Sequence, residues 1–256
     1  MDLGLNGARA LVGGASSGLG AACAQALAAE GAAVVVTARR ADALGEVAER
    51  IGGTAVVGDL STPDGPRAVV DAAVDHLGGL DVLIVNTGGP AAGNFVDVSA
   101  EVWEAATQTA LLGPIRLIEA ALTHLQRSDR ASIIVVLAST VRIPLPRIVT
   151  SNVLRPGLAG LVKSLAGELA PGIRVNGLAP GRIHTERADV LDTRWSELSG
   201  ESFEEVRAGA VANIPFGRYG RPEEFGRVAA FLASPAASYV SGQILPVDGA
   251  MTRSLP

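Results

Sequence analysis

The chain has 256 residues, 48% apolar but only 4% aromatic, and its 26 acidic against 21 basic side chains leave a net charge of -5. This balance excludes the basic face that nucleic acid requires, while the length suits one α/β domain with a substantial core. The N-terminal "MDLGLNGARALVGG" lacks a basic leader, and no apolar run reaches the roughly 20 residues of a membrane span, so a cytoplasmic protein is expected.

In chain order, β-branched runs at 8–13, 32–38, 54–59, 80–86, 132–138, 173–179 and 243–248 predict seven strands. Segments near 18–30, 41–51, 63–77, 100–127, 153–170 and 222–233 carry apolar residues at helical spacing. Strand-helix alternation with continuously apolar strands predicts a doubly wound, Rossmann-like parallel sheet with helices on both faces, in a single domain over 1–256. The polar stretch at 186–221 interrupts the alternation and is read as a lid, because open parallel sheets bind ligands beyond the carboxyl ends of their strands. Cys23, the sole cysteine, cannot form an internal disulfide and reads as a buried, inert thiol. No metal site is expected.

"LVGGASSGLGAACAQAL" places Gly14, Gly18 and Gly20 between the first strand and first helix. Glycines there permit a tight turn and close approach to a pyrophosphate, which the helix N-terminus attracts with free N–H groups and its positive dipole end. The second strand ends in Ala38, Arg39 and Arg40, where an acidic residue would favour a free ribose 2′-hydroxyl. Arg39 can instead clamp a 2′-phosphate, so NADP is preferred and NAD is the second choice.

The spacing of Gly14, Gly18 and Gly20 resembles that of the short-chain dehydrogenase/reductase family, particularly members like 3-oxoacyl-[acyl-carrier-protein] reductase. Further stretches match in order across essentially the whole chain: Asp59 in "GDLS", "NTGG" at 86–89, "LAPGRIHT" at 178–185, "RPEEFGRVAAFLASPAASYVSGQ" at 221–243 and "VDGA" at 247–250. The resemblance implies that Ser16, Ser17 and Leu19 line the pyrophosphate turn and that Asp59 and Leu60 hold the adenine. It sets Asn86 and Gly88 beside the adenosine ribose, and Ile183 and Thr185, in the segment with Pro180 and Gly181, at the nicotinamide carboxamide. It also implies a homotetramer or homodimer through helices at 100–127 and 153–170.

Members of this family use Asn, Ser, Tyr and Lys, and here three of the four positions differ. The register places Ala110 at the asparagine, Ser151 at the tyrosine and Arg155 at the lysine, with Ser139 the candidate serine and Thr140 its competitor. Tyr219 and Tyr239 fall in scaffold segments, and Lys163 lies two turns beyond Arg155. An alkyl hydroxyl is a poor general acid or base. Arg155 stays charged, so it can hold ribose hydroxyls and stabilise a developing oxyanion but cannot shuttle a proton. His184 is a weaker surrogate proton donor.

"SNVLRPG" at 151–157 adds a local expectation: Pro156 belongs in a first turn, so a helix is predicted to start at 151–154 with Ser151 or Asn152 as N-cap. The expected partner is a small carbonyl or alcohol, with neither nucleic acid nor membrane. Its pocket is bordered by "GGPAAG" at 88–93, the loop with Pro144 and Pro146, and Trp195. Two readings follow: an NADP(H)-dependent oxidoreductase with a non-standard active site, or a nucleotide-binding sensor or structural partner without turnover.

Overall fold

Runs of Val, Ile and Leu favour strands buried on both faces, and all seven runs form strands in the computed structural model, which describes residues 2–254. They are β1 (Arg9–Gly13), β2 (Ala33–Ala38), β3 (Thr54–Val57), β4 (Val82–Val85), β5 (Ser132–Val136), β6 (Arg174–Pro180) and β7 (Ile244–Val247). All pair in parallel, in the order β3-β2-β1-β4-β5-β6-β7. The helices are α1 (Gly18–Ala29), α2 (Ala41–Ile51), α3 (Gly65–Leu77), α4 (Ala100–Thr107), α5 (Gly113–Leu125), α6 (Val149–Glu168), α7 (Glu186–Ser199), α8 (Phe203–Ala212) and α9 (Pro222–Ala233).

The two-residue strand period sends Ala10 and Val12 to one face, where they pack with Cys23, Leu27, Leu44 and Phe225 of α1, α2 and α9. Leu11 goes to the other face with Val70, Leu117 and Leu158 of α3, α5 and α6. A side chain at Gly226 would strike the Ala22 carbonyl, so α1 and α9 approach closely only because that position is glycine. Cys23 is buried in this layer, which pushes its thiol up to about 12 and leaves it neutral, as expected.

Three segments differ from expectation. The helix predicted over 100–127 is divided by a π turn at Gln108–Leu112, and α5 restarts with Pro114 in its first turn. The 186–221 stretch contains two helices, α7 and α8, with Thr185 and Ser202 as side-chain caps.

The third difference is a correction. Helix α6 begins at Val149 and runs through Pro156, its eighth residue, so neither Ser151 nor Asn152 is the N-cap. Proline forfeits the bond to the carbonyl four residues back and its ring crowds that carbonyl, and tertiary contacts offset that cost. Thr150 Oγ1 donates to the Ala91 carbonyl at 3.0 Å, Asn152 grips the backbone N–H and carbonyl of Leu145 at 3.0 and 2.7 Å, and Leu154, Arg155 and Leu158 are buried.

Because every strand is parallel, all the carboxyl ends lie along one edge of the sheet. The winding reverses between β1 and β4, and a crevice forms there, beyond the strand ends.

Candidate active site

A cavity of about 490 Å³, within the range of small-molecule sites, runs along this edge and is lined by the segments following β1 to β6 together with α7. At one end, Gly14 and Gly18 both have φ of +57°, a left-handed conformation that a side chain would strain. A Cβ on Gly14 would also lie 2.7 Å from Asn86 Nδ2, which donates to the Gly13 and Gly14 carbonyls at 3.2 and 3.1 Å and ties β1 to β4 across the crevice. Gly20 does not line the cavity; its missing side chain lets α1 close against the Gly14 carbonyl. The other glycine-turn residues, Ser16, Ser17 and Leu19, do line it. Ser17 provides no side-chain cap to α1 and the first turn holds no acid, so the free N–H groups there suit an anion.

Arg39 and Arg40 follow β2 into the cavity wall. Arg40 reaches across the glycine turn, donating to Ser17 Oγ at 2.8 Å and Ser16 Oγ at 3.3 Å, and lies 3.4 Å from the Glu186 carboxylate of α7. Asp59 follows β3 and accepts from the Ser61 hydroxyl at 2.7 Å and the Ser61 N–H at 2.9 Å. These bonds, with a smaller contribution from Arg39, hold its carboxyl below the usual range. Leu60, Asn86, Gly88, Pro180, Gly181, Ile183 and Thr185 all line the same cavity.

The opposite end gathers Ser139, Thr140, Ser151 and Arg155. Ser139 and Thr140 follow β5; Thr140 Oγ1 lies 3.2 Å from Ser151 Oγ, so the Ser151 hydroxyl is engaged from inside the helix. Arg155 is 6% exposed and donates to the Val136 carbonyl at 3.0 Å. Burial, and secondarily the charge of Arg187, push its guanidinium down to about 10. Among the described residues neither Arg155 nor Arg187 has an acidic partner.

Among the described residues, no tyrosine, lysine or histidine lines the cavity. Tyr219 donates to Asp192 at 2.9 Å, Tyr239 is fully exposed and Lys163 faces solvent. His184 is also exposed, with Nδ1 3.0 Å from Arg207 Nη2, away from the site it was a surrogate for. Ala110 is fully buried in the π turn, where its neighbour Thr109 is the residue that reaches the cavity.

Helix α7 closes one side of the cavity with Leu191 and Trp195, so the 186–221 insertion does border the site. Arg187, in its first turn, donates to the Pro90 carbonyl at 2.6 Å. Fully buried Asp192 anchors the helix, accepting from Arg182 at 2.9 Å and from Tyr219, with Arg207 at 3.8 Å. Arg182 also covers the Trp195 ring, 4.3 Å from its centre. Of "GGPAAG", Gly88, Gly89 and Pro90 face the cavity, while Ala91 and Gly93 fasten the loop to the start of α6. The Pro-rich loop contributes Leu145 and Ile148.

Sequence reasoning missed Arg40, Arg187, Thr87 and Asp192 as parts of this arrangement. Arg40 stood beside Arg39 and could have been found; nothing in the local pattern marks Asp192, whose partners are 10 and 27 positions away.

Comparison with known proteins agrees with this geometry. A family model described as Enoyl-(Acyl carrier protein) reductase matches residues 14–252. An uncharacterized oxidoreductase of Methylorubrum extorquens is 36% identical over 96% of this chain and 98% of its own. The 3-oxoacyl-[acyl-carrier-protein] reductase of Vibrio cholerae is 32% identical over 96% of this chain and 98% of its own. Among solved structures, a variant of actinorhodin polyketide ketoreductase with NADPH superposes with a TM-score of 0.93 at 28% identity, covering 97% of this chain and 98% of that one. L-sorbose reductase from Gluconobacter frateurii, complexed with NADPH and L-sorbose, gives 0.92 at 29% identity over 100% of both chains.

Proposed function

The chain belongs to the short-chain dehydrogenase/reductase family, and from that premise we propose an NADPH-dependent oxidoreductase that interconverts a carbonyl and an alcohol through a non-standard active site. One observation carries the reading: a single cavity joins an anion-ready glycine turn, flanked by Arg39, to a buried guanidinium, Arg155, beside Ser139.

The residues fit the cofactor. The turn at Ser16 to Leu19 and the N-terminus of α1 suit the pyrophosphate, Arg39 the 2′-phosphate, Asp59 and Leu60 the adenine, and Asn86 and Gly88 its ribose. Ile183 and Thr185, with Pro180 and Gly181, border the carboxamide position, and Arg155 holds the nicotinamide ribose. When bound, the reduced nicotinamide supplies a hydride to the substrate carbon. Ser139 and Arg155 polarise the substrate oxygen, and a cavity water supplies the proton, because neither Ser151 nor Arg155 exchanges one near neutrality. Copies of the chain assemble in the cytoplasm as a homodimer or homotetramer; among the described residues no helix is long and apolar enough to cross a membrane.

NADPH consumption against a panel of carbonyls and alcohols tests the activity. The second reading, nucleotide binding without turnover, is favoured by the lack of a tyrosine, lysine or histidine among the described residues lining the cavity, and firm NADPH binding with no turnover on any substrate would establish it.

Two further results are expected. Arg39→Ala weakens NADPH by about 1 to 3 kcal/mol, the range of a charge-assisted hydrogen bond, and spares NADH; titration of cofactor fluorescence checks this, and equal losses for both cofactors would remove the 2′-phosphate assignment. Turnover should also be flat between roughly pH 6 and 8.5. A folded-state value of about 10 for Arg155 lies above that window, so its charge is constant there and is lost only as the pH rises through 10. A pH-rate profile with an inflection near neutrality would reveal a proton donor other than water.

A further inference from the structure

The charges around the cavity do not cancel. Arg40 is paired with Glu186, Arg182 with Asp192, and Arg39 lies near Asp59 at the nucleotide end. Arg155 and Arg187 remain, both at the chemical end, and neither has a carboxylate partner among the described residues. Each spends one hydrogen bond on a backbone carbonyl, Arg155 on Val136 and Arg187 on Pro90, out of five available N–H donors. Room for the Arg187 guanidinium comes from Gly89, where a Cβ would lie 3.0 Å from Nε.

One more polar atom in the wall lacks a partner. Trp195 Nε1, which can only donate, is buried and unbonded among the described residues, lines the cavity and shares α7 with Arg187. Buried polar groups are nearly always satisfied, and a buried charge without a partner is costly. The nicotinamide ribose offers Arg155 hydroxyls but no negative charge, and the cofactor phosphates are accounted for at the other end. A donor-rich, uncompensated end calls for a ligand that accepts several hydrogen bonds and brings an anion.

We propose that the substrate is a carboxylate-bearing carbonyl compound, a short oxo acid, whose carboxylate is held by Arg187 and whose carbonyl oxygen lies toward Arg155 and Ser139. This rests on the oxidoreductase reading. The reaction is then oxo acid plus NADPH plus a proton giving hydroxy acid plus NADP⁺: the hydride forms the new C–H bond, the carbonyl π bond breaks, and the oxygen takes its proton from water. Arg187 makes the substrate preference, and its position on α7 joins recognition to the lid.

The test compares 2-oxobutanoate and 3-oxobutanoate with their ethyl esters, and 2-oxopropylphosphonate as a phosphate-like anion. Calorimetry on protein saturated with NADP⁺ reads binding without turnover, and NADPH oxidation reads kcat/KM. Each favoured acid should bind at least ten times more tightly than its ester, and Arg187→Gln should cut the acid-to-ester ratio at least tenfold in both readouts. Arg187→Lys, which keeps the charge, should restore much of it. Esters binding as well as acids, or an unchanged ratio in Arg187→Gln, would overturn the proposal while firm NADPH binding left the oxidoreductase reading standing. Preference for the phosphonate would overturn the carboxylate in favour of a phosphate ester. If neither NADPH nor NADH binds, the oxidoreductase reading falls, and the same acid and ester titrations on cofactor-free protein still decide whether this end takes a carboxylate.

Discussion

Arg155→Ala is expected to lower turnover about 100- to 1,000-fold, the scale on which a single donor to a developing oxyanion acts. The guanidinium is buried, lies in the cavity with Ser139, and is held in place by the Val136 carbonyl. On the proposed reading, with no tyrosine among the described residues lining the cavity, it would supply most of the charge that meets the nascent alkoxide. Folding should respond differently: removing a buried cation without a carboxylate relieves a desolvation cost but also removes the bond to the Val136 carbonyl, so the two effects oppose and the melting temperature should change little. Ser151→Ala should reduce turnover by less than tenfold, because the hydroxyl faces Thr140 at 3.2 Å and a neutral hydrogen bond contributes about 1 kcal/mol. Steady-state kinetics beside a thermal melt checks the set. The reverse ranking, with Ser151→Ala inactive and Arg155→Ala tolerated, would move the chemistry from the guanidinium to the hydroxyl.

Asp192→Ala should produce the largest loss of stability, about 3 to 5 kcal/mol, because it breaks a pair whose carboxylate is fully buried and leaves the half-buried Arg182 and the Tyr219 hydroxyl without their acceptor, whereas Arg207 keeps Asp189 at 2.7 Å. Asp192 is 0% exposed and serves Arg182, Tyr219 and, at longer range, Arg207. The damage should be confined to α7 and α8, since the sheet and its flanking helices pack in two separate apolar layers. Hydrogen exchange therefore reads it best: amides of residues 186–212 should lose protection while those of β1, β4 and β5 keep theirs. Uniform loss across the sheet would show that the lid and core unfold as one unit.

The sheet was legible because its signal is local and redundant. Each strand is a short apolar run bounded by polar or glycine residues, and the predicted limits differ from the observed ones by at most two residues. The glycine turn was equally legible, since its residue types answer to backbone conformation. The start of α6 was not. Pro156 argued correctly about one hydrogen bond, but contacts from Thr150 to Ala91 and from Asn152 to Leu145 reward helix two residues before Ser151, and no window around the proline contains Ala91. The π turn was hidden for a similar reason: "TQTALLG" has the apolar content of ordinary helix, and the extra residue shows only in the backbone. At the chemical end, reading the residues located Ser139, Ser151 and Arg155 in one cavity but could not see that Arg187 joins them, because that proximity depends on how α7 returns over the strand ends.

The contact between Arg40, Ser17 and Glu186 bears on the order of events during turnover. A carboxylate oxygen of Glu186 lies 3.4 Å from both Arg40 and Ser17, over the free end of α1. An incoming diphosphate seeks the same donors, so it must displace that oxygen. The pair is exposed and long, worth no more than about 1 kcal/mol, so the exchange is easy and should become easier as ionic strength rises. Displacement releases the Glu186 side chain, next to Arg187 in the first turn of α7, while the Thr185 cap, the Arg187 bond to Pro90 and Asp192 keep the helix seated. If the proposed nucleotide and oxo acid bind as assigned, they meet at neighbouring residues of one helical turn, Glu186 and Arg187, an arrangement that suits a compulsory sequence in which the nucleotide enters first and leaves last.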